Sequence, residues 1–156
     1  MHSEVQRDLH RPLVLLTILV VCASAAVAGA EADDADIYRL AHLDYMLHCQ
    51  GCHMADGAGV EGTVPPLPGE VGKYIASPEW RDYLVQVPGA SQALIDDEAL
   101  ARLMTWIVRR FDPENAKDLK PYEAAEVGRL RSQPVTNPTE VRRRIIAELS
   151  EQPQDD

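Results

Sequence analysis

Cys49-Gln50-Gly51-Cys52-His53 is the stretch on which the reading of this chain turns. A C-x-x-C-H pentapeptide is the pattern of covalent c-type haem attachment. Two thiols three positions apart can each add to one vinyl group of the same porphyrin. The next residue then offers an imidazole to the iron from one fixed side. Tethered beside two covalent bonds, that imidazole stays at high effective concentration. On this reading Cys49 and Cys52 anchor one covalently attached haem c, and His53 is the proximal ligand of its iron. The same spacing also serves redox, zinc and disulfide chemistry. A zinc site wants four ligands, and beyond the leader the chain has no third cysteine. A thioredoxin-like centre belongs at a strand-to-helix junction, which no surrounding βαβ pattern supplies. A Cys49–Cys52 disulfide would close a short, strained loop.

Upstream, Arg7 and Arg11 precede an apolar run from Pro12 to Ala28, followed by Ala28-Gly29-Ala30. A charged start, an apolar centre and a small-residue exit make a secretory signal peptide. Residues 1–30 are therefore expected to be a signal peptide cleaved after Ala30, with Ala32 as the alternative. Leu13 to Ala30 is also long enough to span a bilayer, so a retained leader would act as an anchor. Val21 stands before Cys22 where a lipoprotein signal would place a small residue. Export agrees with the pentapeptide, because bacteria attach haem covalently outside the cytoplasm.

Cleavage leaves about 126 of the 156 residues, enough for one domain. One Phe and two Trp are few, and a buried porphyrin would supply apolar volume. The net charge of −10 is unchanged by removal of the leader, whose Glu4 and Asp8 balance Arg7 and Arg11. Such an acidic protein does not seek nucleic acid. Its charge either steers it to basic partner surfaces or keeps an exported protein soluble.

Along the mature chain, residues 31–35 read as a loose acidic lead-in, and Asp36 as the cap of a helix from Ile37. Ile37, Leu40, Ala41, Asp44 and Leu47 share one stripe, with Tyr45 one turn before Cys49, set to pack on haem or on a later helix. A loop with Gly57, Gly59 and Gly62 follows, then the rigid Val64-Pro65-Pro66-Leu67-Pro68-Gly69. The carbonyl of Pro66, or else Pro65, is the expected acceptor for the proximal imidazole N–H. Glu70 to Ala76 reads as a short helix, and Ser77-Pro78 as the start of another carrying Trp80, Tyr83, Leu84 and Val87. Pro88-Gly89 ends it, and Ala90 to Ile95 reads as a loop. Asp96 or Asp97 then caps a helix with Leu100, Leu103, Met104, Ile107, Val108 and Phe111 at helical spacing, stopped by Asp112-Pro113. Further helices are expected over Pro121 to Arg131 and from Asn137-Pro138-Thr139-Glu140, the latter bearing Arg142, Arg143 and Arg144. Those arginines read as a charge-paired face, or as a dock for an acidic partner. The last residues, 151–156, read as a loose tail.

The entering helix, the pentapeptide, the Gly-rich loop, the Pro-x-Leu segment and the final amphipathic helix together resemble the class I mono-haem cytochromes over about Asp36 to Phe111. The resemblance implies an all-α cytochrome c-like domain around one haem, here residues 31–115, followed by a C-terminal helical extension over residues 116–156. It also implies single-electron transfer between exported redox partners: a periplasmic dehydrogenase on one side, another cytochrome or an oxidase on the other. Contact with a membrane is expected only if the leader is retained. One departure is plain. The family's usual sixth iron ligand is a Met in the loop before the last core helix, and Val87 to Ile95 holds neither Met nor His. Met54 and His48 flank the proximal side, and Met46 and His42 sit on the entering helix at the haem edge. Met104 is the first remaining candidate; an open position, or one filled by Gln92, Lys73 or water, stands beside it. The expected function is an electron carrier, not an enzyme. The alternative is a five-coordinate haem protein that binds a gas or a peroxide.

Overall fold

The computed structural model describes residues 35–151. The expected signal peptide and most of the expected tail lie outside them. The chain divides into two units between Arg39 and Leu40. In the first, residues 35–39 are helical, and the Arg39 guanidinium donates to Asp36 at 3.0 Å. Because residues 35 and 36 are already helical, Asp36 does not cap a helix beginning at Ile37.

The second unit is all-α: among its described residues the only extended pairing is one bridge between Val60 and Val64. Helix α1 (residues 40–48) leads into the single turn α2 (Gln50–His53). Then come α3 (Pro78–Gln86), α4 (Pro88–Ser91), α5 (Asp97–Phe111), α6 (Ala124–Arg131) and α7 (Pro138–Glu151). Asp96 caps α5, accepting from the Ala99 N–H at 2.7 Å, and the whole expected stripe of α5 is buried. Residues Ala41 and Tyr45 of α1 join that core, with the Tyr45 ring 5.4 Å from Trp106 and 5.2 Å from Phe111. Tyr45 thus packs on the last core helix, α5. Of the expected stripe Ala41 is buried while Leu40 and Leu47 are exposed, because the inward side of α1 is the one shared by Ala41 and Tyr45.

Leu119, Tyr122, Val127 and Leu130 share the α5 core, and a smaller cluster joins Trp80 and Tyr83 of α3 to Ile145 of α7. Two expected elements differ. Glu70 to Ala76 forms turns, because the Gly72 N–H is drawn to the buried Asp112 carboxylate at 2.9 Å and not to a helical carbonyl. The stop at Pro88-Gly89 and the first residues of the expected Ala90 to Ile95 loop form instead one helical turn, Pro88 occupying its first position. The helix expected from Pro121 starts at Ala124, where Glu123 and Glu126 form a reciprocal cap.

Arg81 ties α3 to α6: its guanidinium bonds Glu126 at 2.6 and 2.9 Å and the Lys120 and Pro121 carbonyls at 2.8 and 3.1 Å. That hydrogen bonding holds the Glu126 carboxyl below the usual glutamate range. Folding therefore lowers this pKa, so the stabilisation is complete above the unfolded value and drains away as pH falls through the folded one. Glu126→Gln is expected to flatten the acid limb of stability against pH. Parallel acid limbs for variant and parent would show that the pair contributes nothing there.

Candidate haem site

Helix α1 delivers the pentapeptide with its backbone already bonded. The Cys49 N–H donates to Tyr45 O at 2.9 Å, and the Cys52 and His53 N–H groups donate to Cys49 O at 3.1 and 2.9 Å. This one turn carries both sulfurs and the imidazole on a rigid strut. Cys49 is half-buried and Cys52 exposed, and the two thiols are not joined. Burial, with the nearby Asp44 and Cys52 charges, pushes the Cys49 thiol up to about 11.

Cys49 and His53 open on a cavity of about 1130 Å³. Its walls are largely aliphatic: Pro65 and Leu67 from the proline segment, Leu84 from α3, Val87 from the junction, Ala90 from α4, and Leu100, Met104 and Ile107 from α5. Burial lowers the His53 pKa, which keeps the ring neutral and its lone pair available to a metal. His53 Nδ1 is buried with no formed hydrogen bond. The carbonyl it faces is that of Pro65, whose pull favours the protonated ring. Too loosely placed to count as a hydrogen bond, that carbonyl is still the acceptor at hand, so Pro65 takes the place first given to Pro66.

The loop beyond His53 is shaped by backbone signs. Gly59 has φ +71°, and a Cβ there would meet the Val64 and Pro65 carbonyls, the latter at 2.8 Å. Gly62 has φ +72° but open space around it. Gly59→Ala is therefore expected to cost at least about 2 kcal/mol, the left-handed penalty plus displacement of the Pro65 carbonyl. Gly62→Ala should cost about 1 kcal/mol, the penalty alone. Thermal unfolding of both variants checks this; equal losses would contradict the role given to the close approach.

Of the other proposed ligands, Met104 lines the cavity and is 5% exposed. His48 also lines it, one residue before Cys49. Gln92 and Lys73 are exposed and lie outside its lining, as do Met46 and Met54. The His42 ring stacks on Trp106 at 5.5 Å, away from the cavity. What the sequence reading missed is Arg131. From α6 it donates to the carbonyls of Ser91, Ala93 and Ile95, and it pairs with Asp97 at 3.1 Å. It thereby pins the segment that follows the Val87–Ala90 wall. Its only sequence signal was a place in the last turn of an amphipathic helix.

Among the described residues no group of three or more His, Cys, Asp or Glu could hold a bare metal ion. Paired sulfurs, one neutral imidazole with a buried N–H and a roomy aliphatic cavity suit instead a metal that arrives inside its own macrocycle. An all-helical shell with that donor set defines a haem c protein. Comparison with known proteins agrees. The family model for cytochrome c matches residues 28–122. A cytochrome c-552 of Thermus thermophilus is 30% identical over 139 residues, covering 77% of this chain and 88% of the relative. A second Thermus thermophilus cytochrome c-552 is 31% identical over 125 residues, covering 68% of this chain and 89% of the relative. The chain belongs to the cytochrome c family. It is a class I c-type cytochrome with covalently attached haem c and its iron, an electron carrier that works with partner proteins.

Proposed function

We propose that this protein is an exported, periplasmic mono-haem cytochrome in which Cys49 and Cys52 carry the porphyrin and His53 is the proximal ligand. It takes single electrons from a periplasmic dehydrogenase and passes them to another cytochrome or an oxidase. The observation that carries this reading is the opening of Cys49 and His53, one helical turn apart, on the same aliphatic cavity. Haem c supplies one-electron exchange between ferric and ferrous iron. The chain's own residues do the rest. The α1–α2 strut holds the imidazole in place with the Pro65 carbonyl as the acceptor at hand, and the aliphatic walls exclude water, which tunes the potential. Residues 1–30 serve as the exporting leader, 31–115 as the haem domain and 116–156 as its extension.

Met104 is proposed as the sixth ligand, being the one methionine among the described cavity residues. One observation favours the second reading, an open position that takes a gas or a peroxide. The wall from Val87 to Ala93 brings only Val87, Pro88, Gly89, Ala90 and Ala93 to the cavity, none of them able to ligate. Carbon monoxide decides between them. The reduced parent is expected to be low-spin and inert to it, and Met104→Ala to bind it. Rapid binding by most of the parent protein would transfer the assignment to the open-site reading.

A further inference from the structure

Haem c brings two carboxylates into a protein whose net charge is already −10, and whose cavity also presents Glu61 and Glu70. Anions placed beside an aliphatic wall are costly unless paired. Apart from its histidines, the cavity's basic residues among the described ones are Arg142 and Arg143, both on α7. The two differ. Arg143 is 71% exposed and spends Nε and Nη2 on Glu140, three residues away. Arg142 is 25% exposed, lies 5.7 Å from the centre of the Trp80 ring and donates from Nη2 to Glu70 at 3.1 Å. Its Nε and Nη1 have no acceptor among the described residues. Glu70 and Trp80 thus fix the guanidinium while leaving donors unspent. A planar fork with five N–H groups can serve two carboxylates at once.

We infer that Arg142 binds a carboxylate of the haem, so that α7 is the cationic clamp on a largely aliphatic cavity. The inference rests on the cytochrome reading above and gives the C-terminal extension its task. A cation held there disfavours the ferric state, and it keeps the carboxylate ionised through neutral pH.

The test is the reduction potential of the holoprotein. In Arg142→Gln the ratio of ferric to ferrous iron at fixed poise should rise about threefold to tenfold, tenfold being about 59 mV for a one-electron couple. The potential should also become dependent on pH between about 5 and 8, as the unpaired carboxylate titrates. Arg142→Lys keeps the charge and should retain most of the parent potential, and Arg143→Gln should shift it far less than Arg142→Gln does. A parent-like, pH-independent potential in Arg142→Gln would overturn the inference. The parent protein supplies a second measurement, independent of whether a variant accumulates. Its reduced-minus-oxidised infrared spectrum should show haem carboxylates that stay ionised from about pH 5 to 8, and a carboxyl band titrating in that range would equally overturn the inference. Failure of the cytochrome reading itself looks different, since a chain without haem gives no potential to measure.

Discussion

His53→Ala is expected to leave haem joined to Cys49 and Cys52 while removing most of the low-spin absorption of the iron. The two roles separate because they lie on different atoms. In the proposed site the sulfurs make the covalent bonds, and the imidazole, whose pKa burial lowers, donates a lone pair. In the parent that imidazole is tethered one residue from the proposed thioether at Cys52, an arrangement equivalent to a concentration of about millimolar or more. Free imidazole added to the variant at about that level should therefore restore the low-spin spectrum. An unchanged spectrum in His53→Ala, with no added base, would remove His53 from the iron.

Arg131→Met is expected to produce the largest loss of stability among single surface-reaching residues. Its guanidinium is the donor for the carbonyls of Ser91, Ala93 and Ile95, and its side chain is only 18% exposed. Removing it strands those oxygens and leaves Asp97 without its cation. A lost buried partner costs about 1–3 kcal/mol, and water reaches some of these atoms, so the total should be about 3 kcal/mol. For a domain of this size that corresponds to roughly 10 °C in Tm. Arg131→Lys should recover part of it, because one ammonium cannot reach three diverging carbonyls. The readout is the denaturant midpoint of the holoprotein; a loss below about 1 kcal/mol would show that the segment holds itself in place.

What could be read from the sequence was whatever is decided locally. The pentapeptide is legible because two sulfurs and an imidazole must sit within one turn, and α5 because its stripe of Leu, Met, Ile and Val repeats at helical spacing. The Asp96 cap and the Ser77-Pro78 start are signals that act over three or four residues. Features set by distant partners escaped. Gly72 leaves the helical pattern for a carboxylate 40 residues away. The α1 stripe turns on where Trp106 and Phe111 meet Tyr45. Arg142 looked like one member of a basic triplet until Glu70, 72 positions earlier, drew it to the cavity. Pro65 and Pro66 are equivalent as letters, and only the path of the loop chooses between their carbonyls.

The central claim is that a porphyrin is bound through sulfur on the α1–α2 strut, and the intact mass of the purified, exported protein tests it most directly. The account predicts the polypeptide mass plus one haem, retained under denaturing conditions, with peptide mapping placing the addition on the segment containing Cys49 and Cys52. A bare polypeptide mass, with those two thiols free or joined to each other, would contradict it.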